Sequence, residues 1–273
     1  MQRVFVLIAV FLSLGWAQTL RLATTTSVND SGLLDYLLPA FSQKTGIKVE
    51  VVAVGTGQAL ALARRGDADA VLVHAPELEA QFLREGFGRD HACLAYNNFV
   101  IAGPREDPAK IKSAPNALEA FRRIAATGSL FISRGDKSGT NAKELSLWKQ
   151  AGITPDASWY LESGSGMGAT LTVASEKKAY TLTDLATLLA FSGKLALVSL
   201  VDKPYQEMLN QYSYMAVNPG KFPKANYAAA GQLRAFLLAP LTQQKIGEFM
   251  REKYGQRLFT PLYGKCKIAV SGP

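Results

Sequence analysis

Short apolar runs alternate with amphipathic stretches along the chain, and several of these runs end in a polar turn before the next helix begins. Leu20 to Ala23 is the first such run, and it enters Thr24-Thr25-Thr26-Ser27. Asn29, Asp30 and Ser31 then offer N-caps for a helix with Leu33, Leu34, Leu37, Leu38 and Phe41 on one face. Gly46 ends that helix. Ile47 to Val54, mostly apolar and β-branched, enters Gly55-Thr56-Gly57 and a helix through Leu60 and Leu62. Asp69 to Val73 is a third buried strand, with His74 at its end. Strand–turn–helix units without hairpin signals imply parallel strands with crossover helices, an α/β architecture. In open sheets of this kind, ligands lie beyond the carboxyl ends of the strands, where these turns sit.

The second half repeats the theme. Cys93 to Pro104 reads as a long strand with two asparagines in its middle; a central strand disfavours such a pair, while a strand passing between domains tolerates it. The first crossing is therefore placed near Asn98, and the return within Gln211 to Pro219. The expected organisation is a signal peptide at 1–17, one lobe of 18–98 with 214–273, and a second of 99–213. Tyr180 to Asp184 is expected to open a helix through Leu188 and Ala190, and two C-terminal helices are expected near Tyr227–Leu238 and Leu241–Tyr254.

The candidate chemistry concentrates at Leu130 to Ala142. Leu130-Phe131-Ile132 is a short strand, the following turn is rich in Gly and Ser, and a helix carrying Leu145, Trp148 and Ala151 begins after it. Strand, polar turn and helix start together gather free N–H groups and the positive end of a helix dipole, which suits an anion. Ser138 and Thr140 add hydroxyls, and Arg134 adds a planar guanidinium fitted to tetrahedral oxyanions. Asp136 is placed to orient Arg134 or cap the helix. Gly164 to Gly168 forms a further glycine-rich turn at the start of a helix, where backbone N–H groups can approach a ligand. The competing reading of each turn is an ordinary cap that satisfies only its own backbone.

The chain has 273 residues, 48% of them hydrophobic and only 19% charged, as in an ordered globular protein. A net charge of +8 favours anions in a cleft, but the basic residues are scattered and not interleaved with aromatics, which argues against nucleic acid. A basic start at Met1-Gln2-Arg3, an apolar run from Val4 to Leu14 and small residues at Gly15 and Ala17 read as a secretory signal, with export beyond the cytoplasmic membrane. Cys93 and Cys266 are either one disulfide or two separate thiols, and are too few and too far apart for a metal cluster. No cofactor is expected. His74, read as a structural residue at a strand end, and His91, read as surface, are the only histidines. With no HExxH, GxSxG or Walker pattern, a secreted phosphatase is the weaker class of function.

ATTTS at Ala23–Ser27, VGTGQAL at Val54–Leu60, DADAVLVHAP at Asp67–Pro76, SRGDKSGTN at Ser133–Asn141, SGMG at Ser165–Gly168 and AYTLTDLAT at Ala179–Thr187 resemble, in order, the solute-binding proteins of tungstate ABC transporters. That family commonly has His after SGT, where this chain has Asn141. The resemblance implies a type II periplasmic-binding-protein fold, two α/β lobes joined by two crossing segments with the ligand cleft between them. It also implies a tungstate ion held by Thr25, Ser27, Thr56, Arg134, Ser138 and Thr140 with backbone N–H groups of Gly139 and Met167. A permease with its ATPase would be the partner, and the protein would be a monomer. Binders of molybdate, phosphate or sulfate with the same fold are the alternatives.

Overall fold

The computed structural model of the protein describes residues 18–268, so the signal read in residues 1–17 lies outside the described residues. In chain order the elements are β1 (Thr19–Thr25), α1 (Thr26–Asp30), α2 (Leu33–Thr45), β2 (Lys48–Val54), α3 (Thr56–Arg64), β3 (Ala70–Val73), α4 (Pro76–Arg84) and the long β4 (Gly88–Pro104). There follow α5 (Ala117–Thr127), β5 (Phe131–Ser133), α6 (Gly139–Ala151), β6 (Tyr160–Glu162), α7 (Met167–Glu176), β7 (Thr181–Asp184), α8 (Leu185–Phe191) and β8 (Leu197–Val201). The last are β9 (Leu209–Val217), α9 (Tyr227–Leu238), α10 (Pro240–Glu248), α11 (Arg251–Tyr254) and β10 (Thr260–Gly264).

β2, β1 and β3 lie side by side and parallel, β9 joins β3 antiparallel, and β4 and β10 continue the sheet. Side chains alternate across it. Leu20, Leu22 and Leu72 face a core completed by α2 and α9, while Ala23, Val71 and Val73 face a second core with α3. β4 serves two lobes. From Gly88 to Asn98 it pairs with β9, and from Phe99 to Pro104 it pairs with β7 and β8 instead. The second lobe again has a core on each face of its strands, Phe99 and Ile101 on one side and Val100 and Ala102 on the other.

The asparagines in β4 have a physical account. Asn97 and Asn210 are register partners, Asn210 Nδ2 donates to Asn97 Oδ1 at 2.9 Å, and Asn97 Nδ2 donates to the buried Asp184 at 3.0 Å. The amides at this crossing bond to one another and to Asp184 rather than facing an apolar core, though Asn210 Oδ1 has no partner among the described residues.

Several local expectations are corrected. Tyr180 to Asp184 does not open a helix: Thr181–Asp184 is a strand paired with β4, and Asp184 caps α8 by accepting from Thr187 N. The helix carrying Leu33 to Phe41 has Gly32, at φ +79°, in its N-cap position, with Ser31 Oγ accepting from Leu33 N at 3.3 Å, and a separate short α1 capped by Thr25 precedes it. The final C-terminal helix is broken at Phe249–Met250, where Met250 takes φ +54°. Cys93 and Cys266 form a disulfide with Cα atoms 5.1 Å apart, fastening the segment after β10 to β4. Among the described residues no helix is long and apolar enough to cross a membrane.

Candidate functional site

Parallel pairing fixes where the polar turns lie. Thr25 is opposite Val54 and Thr24 is opposite Leu72, so the turns after β1 and β2 and the end of β3 share one edge of the sheet. The second lobe brings up the loop between β5 and α6 and the start of α7. Gly55 packs on this loop, a Cβ there lying 3.5 Å from both Asp136 O and Ser138 Cα.

Arg134 is the centre of the arrangement, 1% exposed despite its charge. Its Nη1 donates to Ser27 Oγ at 3.4 Å, and its Nη2 donates to Thr26 Oγ1 at 3.1 Å and Asp136 Oδ2 at 2.5 Å. Asp136 Oδ1 accepts from Ser138 N at 3.1 Å, so this carboxylate both orients the guanidinium and braces the loop. Burial lowers the pKa of Arg134, while the carboxylates of Asp136, Asp30 and Asp184 oppose that shift. A guanidinium nevertheless keeps its proton at any ordinary pH.

Three buried donor groups of the site have no hydrogen-bond partner among the described residues: Arg134 Nε, the Thr56 hydroxyl and the Thr140 hydroxyl. Leaving such a group unsatisfied costs about 1–3 kcal/mol, so the arrangement is built for an acceptor that the chain itself does not supply. Gly139 stands beside them. A Cβ at this position would lie 3.0 Å from Thr56 Oγ1 and 3.0 Å from His74 O, so only glycine lets the α6 N-terminus approach so closely.

The other residues read from sequence are engaged as follows. Ser138 is the N-cap of α6, its Oγ accepting from Asn141 N at 3.2 Å, which leaves the hydroxyl proton available to donate elsewhere. Thr25 Oγ1 accepts from Val28 N at 3.3 Å. Met167 N donates to Thr26 Oγ1 at 3.4 Å, and Gly168 N donates to Asp30 Oδ2 at 3.3 Å, so residues of the first lobe cap α7 across the cleft. Thr187 Oγ1 donates to Ser27 O at 3.2 Å and adds another contact between lobes.

Sequence reasoning missed two members. Thr26, within the hydroxyl run, rather than Thr25 meets both Arg134 and α7; a run of four hydroxyl residues does not say which one turns inward. His74 is not a satisfied structural residue: it is 3% exposed, and neither ring nitrogen has a hydrogen-bond partner among the described residues. Burial, and then the charge of Arg134, lower its pKa to about 3, so the ring is neutral. It also borders a cavity of about 570 Å³ with Phe99, Lys143 and Asn210; of the residues read from sequence, only Gly139 reaches that cavity.

Two α/β lobes sharing a strand and closing over buried, unpartnered donors define a solute-binding protein of the periplasmic-binding-protein fold. Residues 14–240 match the family model described as a PBP superfamily domain. The chain is 46% identical to the tungstate-binding protein TupA of Peptoclostridium acidaminophilum over 88% of its own length and 84% of that protein's. It is 38% identical to TupA of Campylobacter jejuni over 82% and 84%. Among solved structures, the tungstate ABC transporter protein of Geobacter sulfurreducens superposes with a TM-score of 0.78 at 50% identity, covering 85% of this chain and 98% of that one. TupA of Desulfovibrio alaskensis gives 0.71 at 42% identity, covering 90% and 99%. The chain belongs to this family of tungstate-binding proteins within the PBP superfamily.

Proposed function

We propose that this chain captures tungstate as a tetrahedral dianion between its lobes and delivers it to an ABC transporter. The observation that carries the reading is the set of buried donors without an acceptor: Arg134 Nε, Thr56 Oγ1 and Thr140 Oγ1. Thr25, Ser27, Ser138 and the N–H group of Gly139 complete the proposed shell, with Thr26 added to it; the Met167 N–H read from sequence is given to Thr26 Oγ1 at 3.4 Å and would reach the anion only by giving up that bond. Each charge-assisted bond to the anion contributes about 1.5–3 kcal/mol. Five or six, offset by the cost of immobilising ligand and lobes, are compatible with nanomolar affinity, about −12 kcal/mol.

Phosphate is disfavoured by one detail. A protonated oxyanion needs an acceptor aimed at it, and the Asp136 carboxylate is turned to Arg134 with one oxygen and to Ser138 N with the other. The protein is a binder and not an enzyme, acting as a monomer outside the cytoplasmic membrane, with a permease and its ATPase as partners. A disulfide suits that compartment. The lobes divide where β4 changes partners, at Asn98–Phe99. The return to the first lobe is at Leu209, where β9 begins, ahead of the limit near Tyr214 read from sequence.

Calorimetric titration with tungstate, molybdate, sulfate and phosphate tests the reading. Tungstate should bind tightest; phosphate binding as tight as tungstate would overturn it.

A further inference from the structure

The oxyanion loop is anchored from behind by residues that sequence reasoning did not single out. Glu144, on α6, is 2% exposed. Its Oε2 accepts from Ser133 Oγ at 2.6 Å, and its Oε1 accepts from Trp148 Nε1 at 3.0 Å and from the Tyr160 hydroxyl at 2.7 Å. Ser133 immediately precedes Arg134. Because its proton is drawn to Glu144, its lone pairs face the other way and accept from Gly135 N and Asn141 Nδ2, each at 3.2 Å. Asn141 Oδ1 in turn accepts from Lys137 N at 3.1 Å. Gly135 and Lys137 both sit at positive φ, 61° and 57°, so this loop needs its N–H groups held if it is to keep its shape.

We propose that Glu144 is the positioning residue of the oxyanion loop: it touches no ligand, and its ionised carboxylate fixes Ser133 so that Arg134 and Ser138 are presented to the cleft. This inference rests on the oxyanion reading of the site and adds a regulator to it.

The carboxylate is poised to change state. Burial pushes the Glu144 pKa up to about 7, opposed by the hydrogen bonds from Ser133, Tyr160, Trp148 and Asn141. These groups face it from β5, β6 and α6, and Tyr160 alone among them is titratable; burial, then the charge of Glu144, raises its own pKa. Among the described residues no cation pairs with Glu144. Oε1 already accepts two donors, so a proton settles on Oε2, which then ceases to be a charged acceptor and loosens its hold on the Ser133 hydroxyl. The bonds of Glu144 are to Ser133, Trp148 and Tyr160, and those of Ser133 continue to Gly135 and Asn141, so its connection to Arg134 runs through the loop. The two routes differ in sign. Loop anchoring weakens anion binding as pH falls through about 7, whereas simple repulsion of the dianion by Glu144 would strengthen it.

The test is tungstate affinity of the full mature chain by calorimetry between about pH 6 and pH 8, for wild type, Glu144→Gln and Glu144→Asp. Wild type should bind about tenfold more weakly at the lower pH, Glu144→Gln should be weak and flat across the range, and Glu144→Asp should restore the pH response. In a Trp159→Phe background, Trp148 fluorescence without ligand should titrate with the same midpoint as the affinity. Thermal melts establish that each variant folds. The proposal is overturned if tungstate binds but Glu144→Gln follows the wild-type profile, or if wild-type affinity rises as pH falls. Failure of the wild type to bind tungstate at any pH would overturn the oxyanion reading itself, and this inference with it.

Discussion

Removing Arg134 is the sharpest test of the site. Its guanidinium commits Nη1 to Ser27 and both protons of Nη2 to Thr26 and Asp136, which leaves Nε–H and one Nη1 proton for the anion. Losing two charge-assisted bonds of about 1.5–3 kcal/mol each should weaken binding by about two to four orders of magnitude in Arg134→Ala. Arg134→Lys keeps the charge but cannot reproduce the fork, so about one to two orders should be lost. Asp136 complicates the alanine variant, because its carboxylate would stand without its cation as the dianion approaches. The double variant Arg134→Ala with Asp136→Asn should therefore recover part of the loss. Calorimetry with tungstate measures all three, and melting curves without ligand check the fold. Arg134→Ala binding within a factor of two of wild type would refute the assignment.

Gly139→Ala forces a methyl group to 3.0 Å from Thr56 Oγ1 and His74 O, and should cost about tenfold in affinity by calorimetry with little change in melting temperature. Reducing the Cys93–Cys266 disulfide releases a loop with a sequence separation of 173. The chain-entropy account puts that at up to about 5 kcal/mol, read as a lower urea midpoint, while tungstate affinity should hold. Glu144 also makes a stability prediction. Its pKa is raised from 4.5 to about 7 on folding, so its ionisation costs the native state; stability is full below about pH 4.5 and declines as pH rises through about 7. Glu144→Gln should remove about 3 kcal/mol of that decline, measured as the difference in unfolding free energy between about pH 5 and pH 8 relative to wild type.

The turns after β1 and β2 and the loop after β5 were legible because hydroxyl and glycine residues directly follow apolar, β-branched runs. That combination has few uses besides capping and anion binding. Thr181–Asp184 misled because four residues are too short for alternation to stand out, and the cap at Asp184 announces the helix behind them. Glu144 was invisible for a different reason. An acid on an amphipathic helix normally reads as a solvated position, and nothing local reveals that Ser133, Trp148 and Tyr160 enclose it. His74 and the cysteine pair depend likewise on contacts distant in sequence: Gly139 lies against His74, and the partner of Cys93 is near the far end of the chain.

β4 has one more implication. A single unbroken backbone belongs to both halves of the molecule, so neither half can slide past the other without tearing a ladder of hydrogen bonds. Opening must instead be a swing about the place where Asn97 and Asn210 are bonded together. Groups near that pivot barely travel, whereas the bonds that join the lobes elsewhere, Met167 N to Thr26 and Gly168 N to Asp30, must break as the halves part. Letting go of the cargo should therefore require those bonds to be given up first.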